Sequence, residues 1–241
     1  MNIFDYNKIY YKVTNKEEKH HGYQYKDGLN ILEEEFNDNP NASCVPGGFY
    51  FTDYEHLPRF LSYGVWVMKI RIPKNARVVK DPNGSKWRAD RIILERKYHI
   101  HNDFDKWFNP DKFNWGYSGY LAHYCSKNFD RWFDHNKFDW KYTSWALAQY
   151  CSRYFDKWFN PNKFNWDDSW ALAQYCSDHF DKWFDLEKFN WKNDSWLLAK
   201  HYSDKFNVWF DSEKFNWKDD SWALENYCSE HRDKWGKYLS E

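Results

Sequence analysis

Five polar side chains in the first hundred residues are of the types that catalytic and ligand-binding sites use. They are His20, His21, Tyr50, Thr52 and Asp90. Imidazoles transfer protons and bind metals, whereas hydroxyls and carboxylates hydrogen-bond a substrate or stabilise a developing charge. The spacing and the neighbours of these residues in the sequence indicate whether they form a functional site or have structural roles.

The spacing of these candidates favours structural roles. Neighbouring residues of a strand point to opposite faces, so His20 and His21 are predicted not to bind one metal ion together. Tyr50 and Thr52 share a strand face, where packing accounts for them as well as substrate binding does. Asp90 has arginines on both sides within two residues, a pattern typical of a surface salt bridge. No metal site is predicted.

Four of the five cysteines occupy one position of a repeated pattern. They are Cys125, Cys151, Cys176 and Cys228. Packed helices lie roughly 8–10 Å apart, whereas disulfide-bonded Cα atoms lie within about 7 Å, so neighbouring repeats should not be crosslinked. Tyr202 takes the position in one repeat, which argues against a chain of metal ligands. The cysteines are therefore predicted to be small buried residues.

Composition and charge exclude several classes of protein. The 35 basic and 36 acidic residues leave a net charge of -1, so the chain lacks the positive excess of nucleic-acid-binding proteins. No apolar run reaches the roughly 20 residues that span a membrane, and the first residues lack the features of a signal peptide. With 42% apolar and 23% aromatic residues, we expect a folded intracellular protein.

The first hundred residues combine strand patterns with short helix patterns. The runs that predict strands are Ile9–Thr14, Gly48–Thr52, Val65–Ile72, Ala76–Val79 and Ala89–Leu94. Residues 31–36 are predicted to form a short amphipathic helix. A second helix is predicted after Asp53, beginning there or near Leu57. No segment between the strands resembles a long crossover helix, so the predicted sheet is mostly antiparallel.

Part of this region resembles the amino-terminal segment shared by many repeat proteins of mimivirus-like giant DNA viruses. The similar segments are YKVT (11–14), HHGYQYKDGLN (20–30), FYFTD (49–53) and KWRADRIIL (86–94). In that group the segment stands before ankyrin or other repeats. The tandem KFNW and SWALA units after residue 103 resemble another repeat type of the same viruses. The resemblance implies a separate amino-terminal domain before a repeat array, without a characterised biochemical activity.

The order of elements in the amino-terminal domain is also similar to the ADP-ribosyltransferase plan. Those enzymes hold NAD with an Arg or His on the first strand, a hydroxyl residue on the second and a Glu near the last. The corresponding residues here are His21, Tyr50 or Thr52, and Asp90 or Glu95. No Glu-x-Glu occurs at the last position. The resemblance implies an NAD-binding amino-terminal domain, active or inactive.

The second half of the chain is a tandem array with a period of 25 or 26 residues. A first tryptophan set comprises Trp107, Trp132, Trp158, Trp183 and Trp209. A phenylalanine set comprises Phe113, Phe138, Phe164, Phe189 and Phe215. A second tryptophan set comprises Trp145, Trp170, Trp196 and Trp222. All three sets are predicted to form the core of the repeats, because large rings supply the buried area that short helices need.

Each repeat is predicted to contain two short helices or one bent helix. Asp168 and Ser169 predict a helix N-terminus, and apolar residues then recur at helical spacing. Ser177 is predicted to cap a second helix. Two helices, at about residues 169–176 and 178–184, are therefore preferred.

The sequence predicts an α+β domain with a small, mostly antiparallel sheet at residues 1–100, followed by an α-helical solenoid of about five repeats at residues 101–241. The favoured function is an interaction or adaptor protein that presents the repeat surface to a viral or host protein. We expect it in the host cytoplasm or the viral factory. The alternatives are an ADP-ribosyltransferase-like domain targeted by the repeats and a structural protein of the particle. No cofactor is predicted.

Overall fold

The structure is a computed structural model that describes residues 4–240. The chain divides into two compact units, the first ending at Trp132 and the second beginning at Phe133. Antiparallel strands occupy the region up to His99, and short helices follow one another from Phe104 onward. This order confirms the predicted fold class. The first helical repeat belongs to the same compact unit as the strands, so the division between units lies later than the change from strands to helices.

The described residues contain nine strands, and all strand pairs are antiparallel. The strands are β1 (Tyr10–Thr14), β2 (Lys19–His20), β3 (Tyr23–Gln24), β4 (Gly28–Ile31), β5 (Phe49–Phe51), β6 (Trp66–Arg71), β7 (Val78–Lys80), β8 (Trp87–Ala89) and β9 (Arg91–His99). The main sheet has the order β1-β6-β9-β4, a second sheet has the order β5-β8-β7, and β2 and β3 form a hairpin. Tyr11 and Thr52 exchange two backbone hydrogen bonds of 2.8 Å, which join β1 to the end of β5.

The sheets enclose an aromatic core. Tyr10 and Phe51 are buried with their ring centroids 5.2 Å apart in an edge-to-face arrangement, the geometry that aromatic pairs prefer. Met68 and Ile70 of β6 project into the same core, while Lys69 between them is only half-buried. The alternation predicted for this strand therefore places its apolar face inward.

One local helix prediction for this region differs from the structure, and the other is confirmed at the later of its two predicted starts. Residues 31–36 form no helix, and β4 instead pairs with β9 over Gly28–Ile31. A six-residue helix is marginal by itself, and the pairing of Gly28–Ile31 with β9 satisfies the backbone groups where that helix would begin. The helix after Asp53 is a 3-10 helix at Leu57–Tyr63, with Pro58 in its first turn. Proline has no backbone N–H, but an N–H in the first turn would have no acceptor within the helix.

The helical part contains eleven α-helices among the described residues. They are α1 (Phe104–Trp107), α2 (Ser118–Tyr124), α3 (Phe129–Trp132), α4 (Trp140–Cys151), α5 (Phe155–Trp158), α6 (Ser169–Tyr175), α7 (Phe180–Trp183), α8 (Trp191–His201), α9 (Phe206–Trp209), α10 (Trp217–Tyr227) and α11 (Arg232–Trp235). In the first unit, α2 packs against the 3-10 helix Leu57–Tyr63. Within residues 4–240, no helix is both long enough and apolar enough to cross a membrane.

Each repeat pairs a longer helix with a four-residue helix. After α6 the chain passes through a 3-10 turn at Ser177–His179 and continues directly into α7. The preferred prediction of two helices per repeat matches this arrangement. The predicted cap by Ser177 is wrong, because the 3-10 turn begins at this residue and neither the turn nor α7 has a side-chain cap.

Buried indole rings stabilise each repeat through one recurring hydrogen bond. Every member of the first tryptophan set is at most 3% exposed. Each indole N–H donates to the backbone oxygen of the residue seven positions earlier, for example Trp158 to Cys151 at 2.9 Å and Trp209 to Tyr202 at 2.7 Å. The phenylalanine set is also buried, and so are the four repeat cysteines, as predicted. The rings thus bury large areas without leaving a donor unsatisfied.

A second recurring contact connects neighbouring repeats of the second unit. A buried serine hydroxyl of one longer helix donates to an aspartate of the next repeat, in the pairs Ser144–Asp168, Ser169–Asp194 and Ser195–Asp220. Each hydroxyl also accepts a backbone N–H of the next repeat. Asp168 is the N-cap residue of α6, as predicted. Its carboxylate, however, accepts the hydroxyl of Ser144 in the preceding repeat at 2.7 Å and does not cap its own helix.

Candidate functional site

The first unit contains a cavity of about 140 Å³ beside β1. Its walls come from β1, the β2–β3 hairpin, β5 and the 3-10 helix Leu57–Tyr63. The residues used below are Lys12, His20, His21, Tyr50, Tyr63 and Lys86. None of its described lining residues is an aspartate or a glutamate. One water molecule needs roughly 10–15 Å³ of such space, so the cavity has room for a small organic molecule.

Lys12 brings an amine into this cavity from the middle of β1. The residue is 3% exposed, and its Nζ lies 2.9 Å from the backbone oxygen of Tyr50 and 3.3 Å from His20 Nδ1. The amine also lies 4.8 Å from the centre of the Tyr25 ring. Burial lowers the pKa of Lys12 to about 7. Among the described residues no carboxylate forms an ion pair with it, so the contacts of this buried base are neutral ones.

The two histidines lie together at the cavity, contrary to the expectation that they point to opposite faces. His20 ends β2, and His21 lies in the two-residue turn of the hairpin with a φ of 49°. Gly22 follows with a φ of 80°, so both turn residues adopt the left-handed conformation that a tight hairpin requires. The turn leaves the ring centroids 4.1 Å apart. Burial, and then the charges of Lys12 and other nearby basic groups, lower the pKa of His20 to about 3.

Tyr50 and Thr52 line the same cavity, but their hydroxyls are already bonded within the protein. The Tyr50 hydroxyl donates to the backbone oxygen of Val45 at 3.1 Å and accepts from its N–H at 2.9 Å. The Thr52 hydroxyl donates to the backbone oxygen of Ser85 at 2.6 Å. These hydroxyls therefore order the loops that carry Val45 and Ser85.

Asp90 and Glu95 lie outside the cavity lining. Asp90 accepts from Arg77 Nε at 3.3 Å and from Arg91 at 3.1 Å, and Glu95 pairs with Arg71. Burial alone would raise the pKa of Asp90, but the hydrogen bonds from Arg91 and Arg77 lower it. Asp90 is thus a salt-bridged acid, as predicted, although it is buried where a surface position was expected. The cavity consequently combines His21, Tyr50 and Thr52 without the carboxylate that ADP-ribosyl transfer employs.

A thiol and an amine form a pair at the rim of the cavity. Lys86 Nζ lies 2.9 Å from Cys44 Sγ and 3.6 Å from Asp81 Oδ2. Hydrogen bonds from Lys86 and Ser43 lower the pKa of the Cys44 thiol. The loop that carries Cys44 is fixed by the buried Arg88, whose guanidinium donates to backbone oxygens of residues 37–42.

Sequence reasoning did not identify Lys12 or Lys86 as candidates. A signal for Lys12 exists, because it interrupts the apolar run Tyr10–Thr14, all of which is buried. A lysine in the middle of such a strand must place its amine in the interior or reach a cavity. Lys86 has no comparable signal, since it follows a turn where lysine is ordinary.

One group of side chains has the composition of a metal site. Asp53, Glu55 and His56 place one potential ligand atom each within 4.8 Å of one another. Asp53 Oδ1 already accepts the backbone N–H of His56 at 3.0 Å and lies 2.7 Å from its Nδ1, while Oδ2 faces Lys8. Burial would raise the pKa of Asp53, but the hydrogen bonds from His56 lower it. Asp53 thus holds both the backbone and the ring of His56, the residue that precedes the 3-10 helix.

The second tryptophan set lies at the surface of the second unit, contrary to its predicted place in the core. Trp145, Trp170 and Trp196 are half-buried, and Trp222 is 43% exposed. In α6 the buried side is formed by Ser169 and the apolar residues 171–173, so Trp170 projects beside it. Successive residues of a helix are rotated by about 100°, so Trp170 points away from the side that its neighbours Ser169 and Ala171 bury.

The rings of this set form two neighbouring pairs on successive longer helices. The centroids of Trp145 and Trp170 are 6.5 Å apart, and those of Trp196 and Trp222 are 6.2 Å apart. The indole N–H of Trp145 donates to a backbone oxygen of its own helix at 3.3 Å. In the described part of the chain, the indole N–H groups of the other three have no hydrogen-bond acceptor. The second tryptophan set thus forms an apolar surface on which three indole N–H groups have no acceptor among the described residues.

Comparison with known proteins identifies relatives in Acanthamoeba polyphaga mimivirus. "Putative ankyrin repeat protein R868" is 42% identical over 113 residues, which make up 46% of this chain and 52% of that protein. "Uncharacterized protein R869" is 41% identical over 102 residues, which make up 42% of this chain and 73% of that protein. "Putative ankyrin repeat protein R896" is 37% identical over 93 residues, or 37% of this chain and 28% of that protein.

The chain spans about half the length of R868 and nearly three quarters of R869. No protein-family model and no solved structure matches it. The matches confirm the resemblance to giant-virus repeat proteins that the sequence indicated. The chain therefore belongs to the same family as mimivirus R869 and is related to the ankyrin-repeat-type proteins R868 and R896.

Proposed function

We propose that this protein is an interaction or adaptor protein of a giant virus, and that the second tryptophan set is its binding surface. The partner is a viral or host protein in the host cytoplasm or the viral factory. One observation carries the proposal. The indole N–H groups of the first tryptophan set are bonded within their repeats, whereas three of the four in the second set have no acceptor among the described residues.

Partly exposed tryptophans are suited to protein recognition. A tryptophan buries a large apolar area on binding and loses little conformational entropy, and its N–H adds a directional hydrogen bond. Four such rings on consecutive helices α4, α6, α8 and α10 form an extended surface, as repeat arrays characteristically do. Tyr150 and Tyr175 lie 6.3 Å from the rings of Trp145 and Trp170 and widen this surface.

The repeat-type names of the relatives support an interaction role but specify no partner. The balanced charge of the chain supports a protein over a nucleic acid as the ligand, because stacking surfaces for bases are normally accompanied by excess positive charge.

Affinity capture with matched variants tests the proposal. The full chain, a Trp170→Ser/Trp196→Ser variant and a Val208→Ser control are used to capture proteins from infected amoebae. Val208 is an exposed apolar residue of α9 in the same unit, 61% exposed, and lies outside the tryptophan set. We expect a defined group of proteins to be enriched by the full chain and the control but lost from the double variant. Retention of the same group by the double variant would reject the proposal, and a group made up only of particle proteins would favour a structural role.

A further inference from the structure

Basic side chains line the cavity of the first unit. Lys12, Lys86, His20 and His21 are its basic lining residues, and no carboxylate lines it among the residues that the structure describes. Besides burial, the neighbours that disfavour a charge on His20 are Lys12, His21 and Lys86. The amines of Lys12 and Lys86 supply the positive charge that would attract an anion placed in the cavity.

Lys12 differs from Lys86 in lacking an acidic partner within residues 4–240. Lys86 lies 3.6 Å from the carboxylate of Asp81, and its charge is thereby compensated. The contacts of Lys12 are a backbone oxygen, the imidazole of His20 and the ring of Tyr25. An ammonium buried among neutral groups is unfavourable, and an anionic ligand would supply the missing opposite charge.

The other walls are aromatic. The rings of Phe60 and Tyr63 lie 6.1 Å apart, and His20 packs edge-on against Tyr63 at 5.7 Å. The Tyr50 ring lies beneath the amine of Lys86 at 4.9 Å. Tyr63 is 51% exposed, so it has ring surface left to cover a ligand. Walls of this kind favour a flat apolar body over a sugar or a chain of hydroxyls.

We infer that the cavity binds a small aromatic anion, with its carboxylate or phosphate group at Lys12 and its ring against Phe60 and Tyr63. A carboxylate and a phosphate ester share this chemistry, since both accept charge-assisted hydrogen bonds from an ammonium. The site is independent of the proposed protein-binding surface, which lies on the other compact unit.

Titration of the full chain with small probes tests the inference. Benzoate and phenyl phosphate are the anionic probes, and benzyl alcohol is the neutral probe of similar size. Calorimetry is expected to show binding of at least one anion at concentrations up to about 10 mM, roughly tenfold tighter than benzyl alcohol. The tighter of the two anions identifies the head group. Absence of binding by both anions, or equal binding of benzyl alcohol, would overturn the inference.

Two substitutions locate the binding. Lys12→Met keeps an unbranched side chain as far as the Cε atom, lacks the amine and is expected to abolish the preference for the anion. Lys74→Met, at an exposed lysine of the same unit, is expected to leave it unchanged. Tyr63→Ser provides a second variant at a partly exposed residue, where the fold tolerates change, and is expected to weaken all probes. A preference that persists in Lys12→Met, or binding that is unaffected by Tyr63→Ser, would contradict the site.

Discussion

Lys12 is a charged residue that the fold holds in an unfavourable environment. Burial lowers its pKa to about 7 from the usual value near 10.5. Below pH 7 the amine is protonated in both the folded and the unfolded chain, and the folded state carries the full cost of the buried charge. Between pH 7 and about 10.5 only the unfolded chain is protonated, so this residue makes stability rise with pH.

The substitution Lys12→Met should therefore stabilise the folded chain more at pH 6 than at pH 9. The difference is expected to be on the order of a few kcal/mol, because each unit of pKa corresponds to about 1.4 kcal/mol. Thermal unfolding of both proteins at the two pH values measures it. A stabilisation that is the same at both values would show that the amine is not buried with its charge uncompensated.

Asp194, in the second unit, is a buried acid whose ionisation opposes folding, as that of the buried Lys12 does in the first unit. Burial raises its pKa to about 6, although Ser169 donates a hydrogen bond at 2.7 Å that acts in the opposite direction. Above pH 6 the carboxylate is charged in both states and the folded chain carries the cost. As the pH falls from 6 towards 4 the folded state takes up a proton first, so acidification stabilises it through this group.

Asp194→Asn is accordingly predicted to remove this response to acid. An asparagine still accepts the Ser169 hydrogen bond, and it should stabilise the chain relative to the wild type by up to about 2 kcal/mol at pH 7.5 and by less at pH 5. Urea unfolding at both pH values is the measurement. Asp178→Asn, at an exposed carboxylate nearby, serves as the control and should change stability by less than about 0.5 kcal/mol.

At the residue scale, sequence reasoning found residue types but not their partners. Tyr50, Thr52 and His21 were identified and do line one cavity, yet the lysine that dominates its charge was not. Asp168 does stand at a helix start, as predicted, but its carboxylate bonds a serine 24 positions earlier, which the sequence did not indicate. Such contacts depend on how repeats stack, and local sequence patterns contain no information about stacking distance.

The two tryptophan sets play different roles within their helices. Trp183 is buried and its indole donates to the backbone oxygen of Cys176 at 3.0 Å, while Trp170 lies half-buried beside the core. Trp183→Ala is expected to cost about 4 kcal/mol of stability, because it opens a cavity and leaves an acceptor unpaired. Trp170→Ala should cost less than about 1.5 kcal/mol. Chemical denaturation of the two variants compares them directly, and equal losses would place both rings in the core.

The elements themselves were largely predictable. The 25- or 26-residue period indicated the repeats, and the breaks after Tyr175 and before Phe180 correspond to the two predicted helices. The strand patterns located β1, β5 and β6 to within two residues at each end. The segment 31–36 was misassigned because its apolar spacing suggested a helix, whereas Ile31 ends β4 and residues 32–36 form neither helix nor strand.

For the whole molecule, the proposed sites lie on different compact units and should be separable. Lys12→Met is expected to leave capture of the partner protein unchanged, and Trp170→Ser/Trp196→Ser should leave binding of the anionic probes unchanged. Each variant serves as the control for the other in the capture and calorimetry experiments. Loss of both activities in either variant would contradict two independent sites.

The central claim is that the second tryptophan set touches the partner directly. A photo-reactive amino acid is placed at position 170 in one full-length protein and at position 208 in another, and both are illuminated in extracts of infected amoebae. We predict that the photo-reactive residue at position 170 forms a covalent adduct with one protein. The residue at position 208 should form none, or at least tenfold less. Adducts of equal yield from both positions, or from position 208 alone, would contradict it.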